Sequence, residues 1–141
     1  MLARHRVRAL ANWANLSTPA GLLLARATAG PARRAGRGVW LVHGYRPALP
    51  RARAFTVGSV VLVRAPLPPG RDPVGTVPPR LLAHEERHTT QYALCGGVLM
   101  PLAYAAAAGW SWLRTGDPAQ ANPFEHWAGL ADGGYRSGPR P

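Results

Sequence analysis

The stretch Leu81-Leu82-Ala83-His84-Glu85-Glu86-Arg87-His88-Thr89-Thr90-Gln91-Tyr92 decides how this chain is read. It holds the pattern H-E-x-x-H at 84–88. On a helix, four residues advance the chain by little more than one turn, so both imidazoles fall on one face and reach one ion. Glu85 follows the first histidine, which lets its carboxylate lean over a metal and take a proton from water without being a ligand. Zinc suits this donor set, since it lowers the pKa of a bound water toward about 7 and polarises a carbonyl. Pro79 and Arg80 mark the start of the helix, expected over Arg80 to about Leu94, with Leu81 and Leu82 as core anchors.

A catalytic zinc keeps three protein ligands and one open position. Downstream, the conventional ligand side chains are Asp117, Glu125, His126 and Asp132. Glu125 stands in Asn122-Pro123-Phe124-Glu125, at the opening of a short helix, and is chosen as the third ligand. His126 is the rival, otherwise a surface imidazole or a residue that steadies a ligand.

Outward from the motif the chain divides readily. Val7, Leu10, Ala11, Trp13 and Ala14 are spaced for a short amphipathic helix within residues 1 to about 16, stopped by Asn15 and the Ser17-Thr18-Pro19 run. Ser17 or Thr18 can cap a second helix that begins at Pro19 or Ala20 and ends at Gly30-Pro31. Two strand-like runs follow, Gly38 to Tyr45 and Ala54 to Arg64, the second dense in β-branched residues; they read as a hairpin or as neighbours in a sheet. The proline-rich stretch from Pro66 to Pro79 reads as a loop of the kind that borders a cleft.

After the motif, the 22 residues Tyr92 to Leu113 carry no charge. They are long enough to cross a bilayer. A span there would put His88 and Glu125 on opposite sides of it, so the segment is expected to fold back as a buried helix. A third short helix begins near Asn122-Pro123 and stops before Gly133-Gly134. Residues 1–135 read as a single domain and 136–141 as a disordered tail.

Composition sets further bounds. A chain of 141 residues that is 47% hydrophobic has room for one core. Its 17 Lys+Arg against 6 Asp+Glu give a net charge of +11. Every basic residue is arginine, and the arginines form no stripe with interleaved aromatics, so no nucleic-acid partner is expected. Cys95 is the only cysteine, which excludes an internal disulfide and reads as a core residue. No clear signal peptide is present, because Asn12, Asn15 and Pro19 interrupt the N-terminal apolar run; a cytoplasmic or membrane-associated protein is expected. His5 and His43 read as solvent or loop histidines. The five tryptophans read as packing residues, although Trp110 and Trp112 would make a peripheral membrane contact if their segment touches lipid.

The run LLAHEERHTTQY, followed by an apolar helix and NPFEHWA, resembles the zincin metallopeptidases of the glutamate-ligand type. More narrowly, it is similar to small bacterial proteins in which a strand of the form AFTVGSVV precedes an HExxHxxQ helix and an NPFE segment. The likeness covers about residues 12 to 135. It implies a minimal zincin-like α+β domain, a small sheet or hairpin packed on helices around a central metal helix. It further implies that His84, His88 and Glu125 hold zinc, that Glu85 is the catalytic base and that Gln91 is the glutamine that follows the motif. A peptide or protein substrate would then lie along the Ala54 to Arg64 edge. The chain departs from that pattern in leaving no room for a second domain over the cleft. Glu86 and Arg87 place charges where apolar residues are common, which implies an exposed outer face. For the oxyanion donor, Tyr104, Tyr135 and His126 are candidates, each otherwise a packing or surface residue. The expected function is zinc-dependent peptide hydrolysis; the alternatives are an inactive zinc-binding relic that binds a partner or membrane, and a basic binding module.

Overall fold

The strand Val60–Val63 is buried at every residue, because both faces of the sheet it belongs to are covered. The computed structural model describes residues 2–135; the expected tail 136–141 lies outside the described residues. In chain order the elements are α1 (Ala3–Ala14), α2 (Ser17–Thr28), β1 (Arg33–Arg34), β2 (Trp40–His43), β3 (Ala54–Val57), β4 (Val60–Val63), a 3-10 turn (Val74–Thr76), α3 (Pro79–Leu94), α4 (Leu99–Thr115) and α5 (Pro123–Ala128). The fold is α+β, with a four-stranded mixed sheet in the order β1-β2-β4-β3.

The run Ala54 to Arg64 is not one strand. It folds into the antiparallel pair β3 and β4, in register Ala54↔Val63 to Val57↔Val60. Gly58-Ser59 supplies a two-residue turn of the kind that favours glycine at positive φ, here +62°. A Cβ on Gly58 would come within 2.4 Å of the Ser17 carbonyl carbon, so the turn tucks against the start of α2. The Gly58-Ser59 pair between two β-rich runs carries the signal for this break, which the reading of one strand passed over. The first run, β2, pairs with β4 in parallel and not as a hairpin, in register Trp40↔Val60 to His43↔Val63.

Alternation along these strands sorts the core into two layers. Leu41, Val61 and Val63 join Val39, Ala54, Val77 and Leu81 on the face that α3 covers. Val42, Val60 and Leu62 join Ala25 and Tyr45 on the face that α2 covers. Helix α2 begins at Ser17, two residues before the expected start, so Ser17 and Thr18 lie inside it and Leu16 is its N-cap residue, with no side-chain cap; the Asn15 side chain accepts from the Ser17 amide at 3.1 Å. The loop before α3 sends Val74 and Val77 into the first layer. It does not border the cleft; the earlier connection, through Pro50 and Ala52, does.

Several expectations about burial are overturned. Helix α4 folds back at 117° to α3, yet it is not a buried helix: Met100 and Ser111 are its buried residues. Trp13, Trp110, Trp112 and Trp127 are exposed, so packing is not their role. Cys95 is only half-buried. His5 and His43 are buried, His43 because its ring lies between the carbonyls of Ala65 and Pro73 at 3.3 and 3.2 Å. The outer face of α3 is exposed at Arg87, as expected, but not at Glu86. Its carboxylate is drawn down against α1 by Arg8 at 3.2 Å and His5 at 3.5 Å, with Arg37 closing the other side at 3.2 Å. No single helix is long and apolar enough to cross a membrane among the described residues.

Candidate metal centre

Helix α3 is gripped by α1 on one side and by β3 and α5 on others, and it turns His84, Glu85, His88 and Gln91 inward. Asn122 caps α5 by accepting from the Phe124 amide at 3.0 Å, and Pro123 occupies its first turn. That start fixes Glu125, 1% exposed, over the histidines.

Ligand atoms of His84, His88 and Glu125 lie within 4.8 Å of one another, all three buried. The His84 Nε2 atom is 3.1 Å from His88 Nε2 and 3.1 Å from Glu125 Oε2. His88 Nε2 is 3.7 Å from Glu125 Oε1. Sequence reasoning picked these three, and the structure brings them together.

The other ring nitrogens decide the protonation. His84 Nδ1 faces the carbonyls of Ala128 and Gly129 at 3.1 and 2.9 Å, so it must donate. His88 Nδ1 faces Gln91 Oε1 at 2.8 Å. The Gln91 amide is oriented by its own donation to the Phe124 carbonyl at 2.8 Å, which leaves Oε1 as acceptor and makes His88 Nδ1 the donor. In the neutral tautomers both Nε2 atoms therefore present lone pairs toward Glu125. Glu125 Oε2 is buried without a hydrogen-bond partner among the described residues. Such a convergence of acceptors requires a cation among them, either an imidazolium proton or a metal ion.

The electrostatics follow the same logic. Burial would lower the His84 pKa, but the Glu125 hydrogen bond and the charges of Glu85 and Glu125 outweigh it and raise it above 6.5. Burial would raise the Glu125 carboxyl, but with a proton on the imidazole Nε2 atoms the hydrogen bonds from His84 and His88, together with that from Tyr104, bring it down to about 2. The group thus stays anionic and fits a cationic ion.

Glu85 is buried beside this cluster and outside it. The Thr56 hydroxyl on β3 donates to its Oε2 at 2.8 Å. Burial is the main cause that holds the Glu85 carboxyl above its ordinary value, against the opposing effects of His88 and Thr56. Glu85, His84, His88 and Glu125 all open onto a cavity of about 300 Å³ bounded by β3 and by Met100, Tyr104 and Tyr135. β3 is the edge of the sheet, with β4 on one side and this cavity on the other.

The remaining candidates fall away. His126 is exposed and its Nε2 meets the Gln120 carbonyl at 2.7 Å. Asp132 pairs with Arg87 at 2.9 Å. Asp117 accepts from the Ala119 amide at 2.8 Å in the turn after α4.

Tyr104 and Gly133 acquire roles the sequence did not assign, and Tyr135, an expected oxyanion candidate, lies at the site. The Tyr104 hydroxyl donates to Glu125 Oε1, and burial followed by the charge of Glu125 pushes its phenol far above the ordinary value, so it remains a neutral donor. The Tyr135 ring stands 6.0 Å from that of His84, and burial likewise pushes its phenol upward. Gly133 passes so close that a Cβ there would lie 2.7 Å from His84 Cε1 and 2.9 Å from the Tyr135 ring. Tyr104 and Gly133 reach the site through the fold back of α4 and the turn after α5, which no local spacing reveals. Gln91, three residues after His88, lay on the same helical face and was legible. No family model matches the chain, and neither does any curated protein or solved structure.

Proposed function

We propose that this protein is a zinc-dependent metallopeptidase of minimal zincin type. The observation that carries the reading is the convergence of His84, His88 and Glu125 lone pairs beside a buried carboxylate, Glu85, that does not join them. Two imidazoles and one carboxylate are a donor set suited to zinc with an open fourth position. A zinc ion held there supplies Lewis-acid chemistry, acidifying water and polarising a carbonyl.

The chain's own residues supply the rest. An extended substrate adds alongside β3, where an edge strand leaves backbone donors and acceptors to pair with it. Its scissile carbonyl then lies in the cavity between β3 and α3. Glu85, oriented by Thr56, accepts a proton from the attacking water as the new C–O bond forms. It returns that proton to the amine nitrogen as the C–N bond breaks. A carboxyl whose pKa is raised by burial is better matched to both steps at neutral pH than an exposed one. Gln91 and the Ala128 and Gly129 carbonyls keep the imidazoles in the required tautomer. Tyr135, at the cavity wall, is the candidate to donate to the developing oxyanion, in preference to Tyr104, whose hydroxyl is engaged by Glu125.

The test is metal content by elemental analysis after dialysis, with turnover of a mixed peptide library, for wild type, Glu125→Ala and Glu85→Gln. One zinc per wild-type chain, lost in Glu125→Ala and kept in Glu85→Gln together with loss of cleavage, supports the reading. A folded wild type that takes up no zinc refutes it. Zinc in both proteins with no cleavage by either identifies a zinc site without the proposed activity.

A further inference from the structure

Helices α1 and α4 are inside out. α1 buries His5, Arg8 and Asn12 and exposes Val7, Leu10 and Trp13. α4 buries Met100 and Ser111, while Leu102, Trp112 and Leu113 are 69%, 60% and 77% exposed. A helix that faces water shows the opposite pattern. The end of α1 reaches the turn between α3 and α4: Asn15 donates to the Tyr92 carbonyl of α3 at 3.2 Å, and a Cβ on Gly97 would lie 2.5 Å from the Asn15 side chain. Leu16, Leu94 and Val98, all exposed, line that corner. Large apolar side chains exposed along two helices and at the turn beside them mark a place where something docks.

The character of the surface selects the occupant. No charge interrupts Tyr92 to Leu113, and the first to follow is Arg114, whose guanidinium lies 5.4 Å over the Trp110 ring. On α1 the exposed apolar positions are flanked by exposed Arg4 and Arg6. Tryptophan and arginine bordering an apolar face fit the headgroup region of a bilayer. The chain carries +11, and of its 6 acidic residues Glu85 and Glu125 are buried, while Glu86 and Asp132 are paired with arginines. The surface charge therefore complements anionic lipid, and it opposes a second copy of equal charge. α4, 17 residues long, spans only about 25 Å, less than the hydrocarbon core, and it is bent at 117° to the helix that carries the histidines.

We propose that the outer faces of α1 and α4 seat this protein on an anionic lipid bilayer, where α4 lies in the interface. Because Met100, Pro101 and Tyr104 of α4 also line the cavity beside His84, that seating puts the cavity next to the membrane plane.

The full chain is to be sedimented with vesicles of phosphatidylcholine, with and without phosphatidylglycerol, and its tryptophan emission followed with lipids brominated on the acyl chains. Binding to the anionic vesicles is expected to be at least about tenfold tighter than to the neutral ones, with emission quenched by the bromolipid. Leu102→Glu combined with Leu113→Glu, both at exposed positions, should weaken binding about tenfold. Wild type that stays in the supernatant with anionic vesicles overturns the proposal. So does binding that salt abolishes and bromolipid never quenches, or a stable dimer that covers these faces and ignores the vesicles. Neither metal nor peptide enters the assay, so its outcome and that of the hydrolysis test are independent.

Discussion

Gln91 ties His88 to the segment that carries Glu125: its side-chain oxygen accepts from His88 Nδ1 at 2.8 Å while its amide donates to the Phe124 carbonyl at 2.8 Å. One side chain thus sets the tautomer of one candidate ligand and the position of another. Gln91→Met keeps the length and removes both bonds. Zinc affinity should fall about 10–100-fold in a competition titration, with the circular dichroism spectrum unchanged. An unchanged affinity would mean that His88 is oriented by packing alone.

Tyr104→Phe removes the hydroxyl that donates to Glu125 Oε1 and leaves the ring in place. Zinc affinity should drop about tenfold, because a ligand's orienting partner is lost while the ligand stays. If Tyr104 were instead the oxyanion donor, kcat would fall with zinc affinity intact, and the two readouts separate the roles.

The metal cluster was legible because its ligands sit in recognisable local motifs. His84 and His88 share a helical face, and Glu125 follows an Asn-Pro start that specifies a helix cap. What was illegible depends on tertiary placement. Thr56 reaches Glu85 because β3 packs on α3, a placement that the Gly58-Ser59 turn signal alone does not reveal. His5 and Glu86, separated by most of the chain, found each other when α1 packed on α3, so neither could be read as buried from its own neighbours. The apolar segment after the motif was expected inside because apolar helices usually bury themselves. Here the sheet already has both faces covered by α2 and α3, and no core remains for α4 to enter.

Glu86→Ala tests the contact that joins α1 to α3. It leaves the Arg8 guanidinium buried without its anion, and Arg8 Nε already lacks a partner among the described residues. Since the Glu86 side chain retains 15% exposure, the loss should be somewhat below that of a fully buried pair, about 2–3 kcal/mol by urea denaturation. Zinc stoichiometry should be unchanged, because Glu86 points away from the cluster.

Gly133→Ala places a methyl group 2.7 Å from a ring that cannot swing aside without giving up its bonds to the Ala128 and Gly129 carbonyls. Overpacking at such a contact costs about 1–3 kcal/mol. The strain should appear as weaker zinc binding, since moving His84 relieves it. A crystal structure of the variant with His84 unmoved and zinc bound as in wild type would refute the close approach.

Metal removal gives the last discrimination, because in the apo protein Glu125 Oε2 and the two Nε2 lone pairs crowd one another with only a proton to share. Zinc at about 100 times its Kd should stabilise the folded state by about 2.7 kcal/mol. For a chain of this length that raises Tm by roughly 6–12 °C, and chelation should reverse it. Glu125→Ala should lose the gain, since it removes the ligand. Glu85→Gln should keep it, since Glu85 is hydrogen-bonded to Thr56 and stands outside the ligand set. If Glu85→Gln also lost the zinc-dependent rise, Glu85 would be a ligand, and the separation of metal binding from proton transfer on which the proposed mechanism rests would fail.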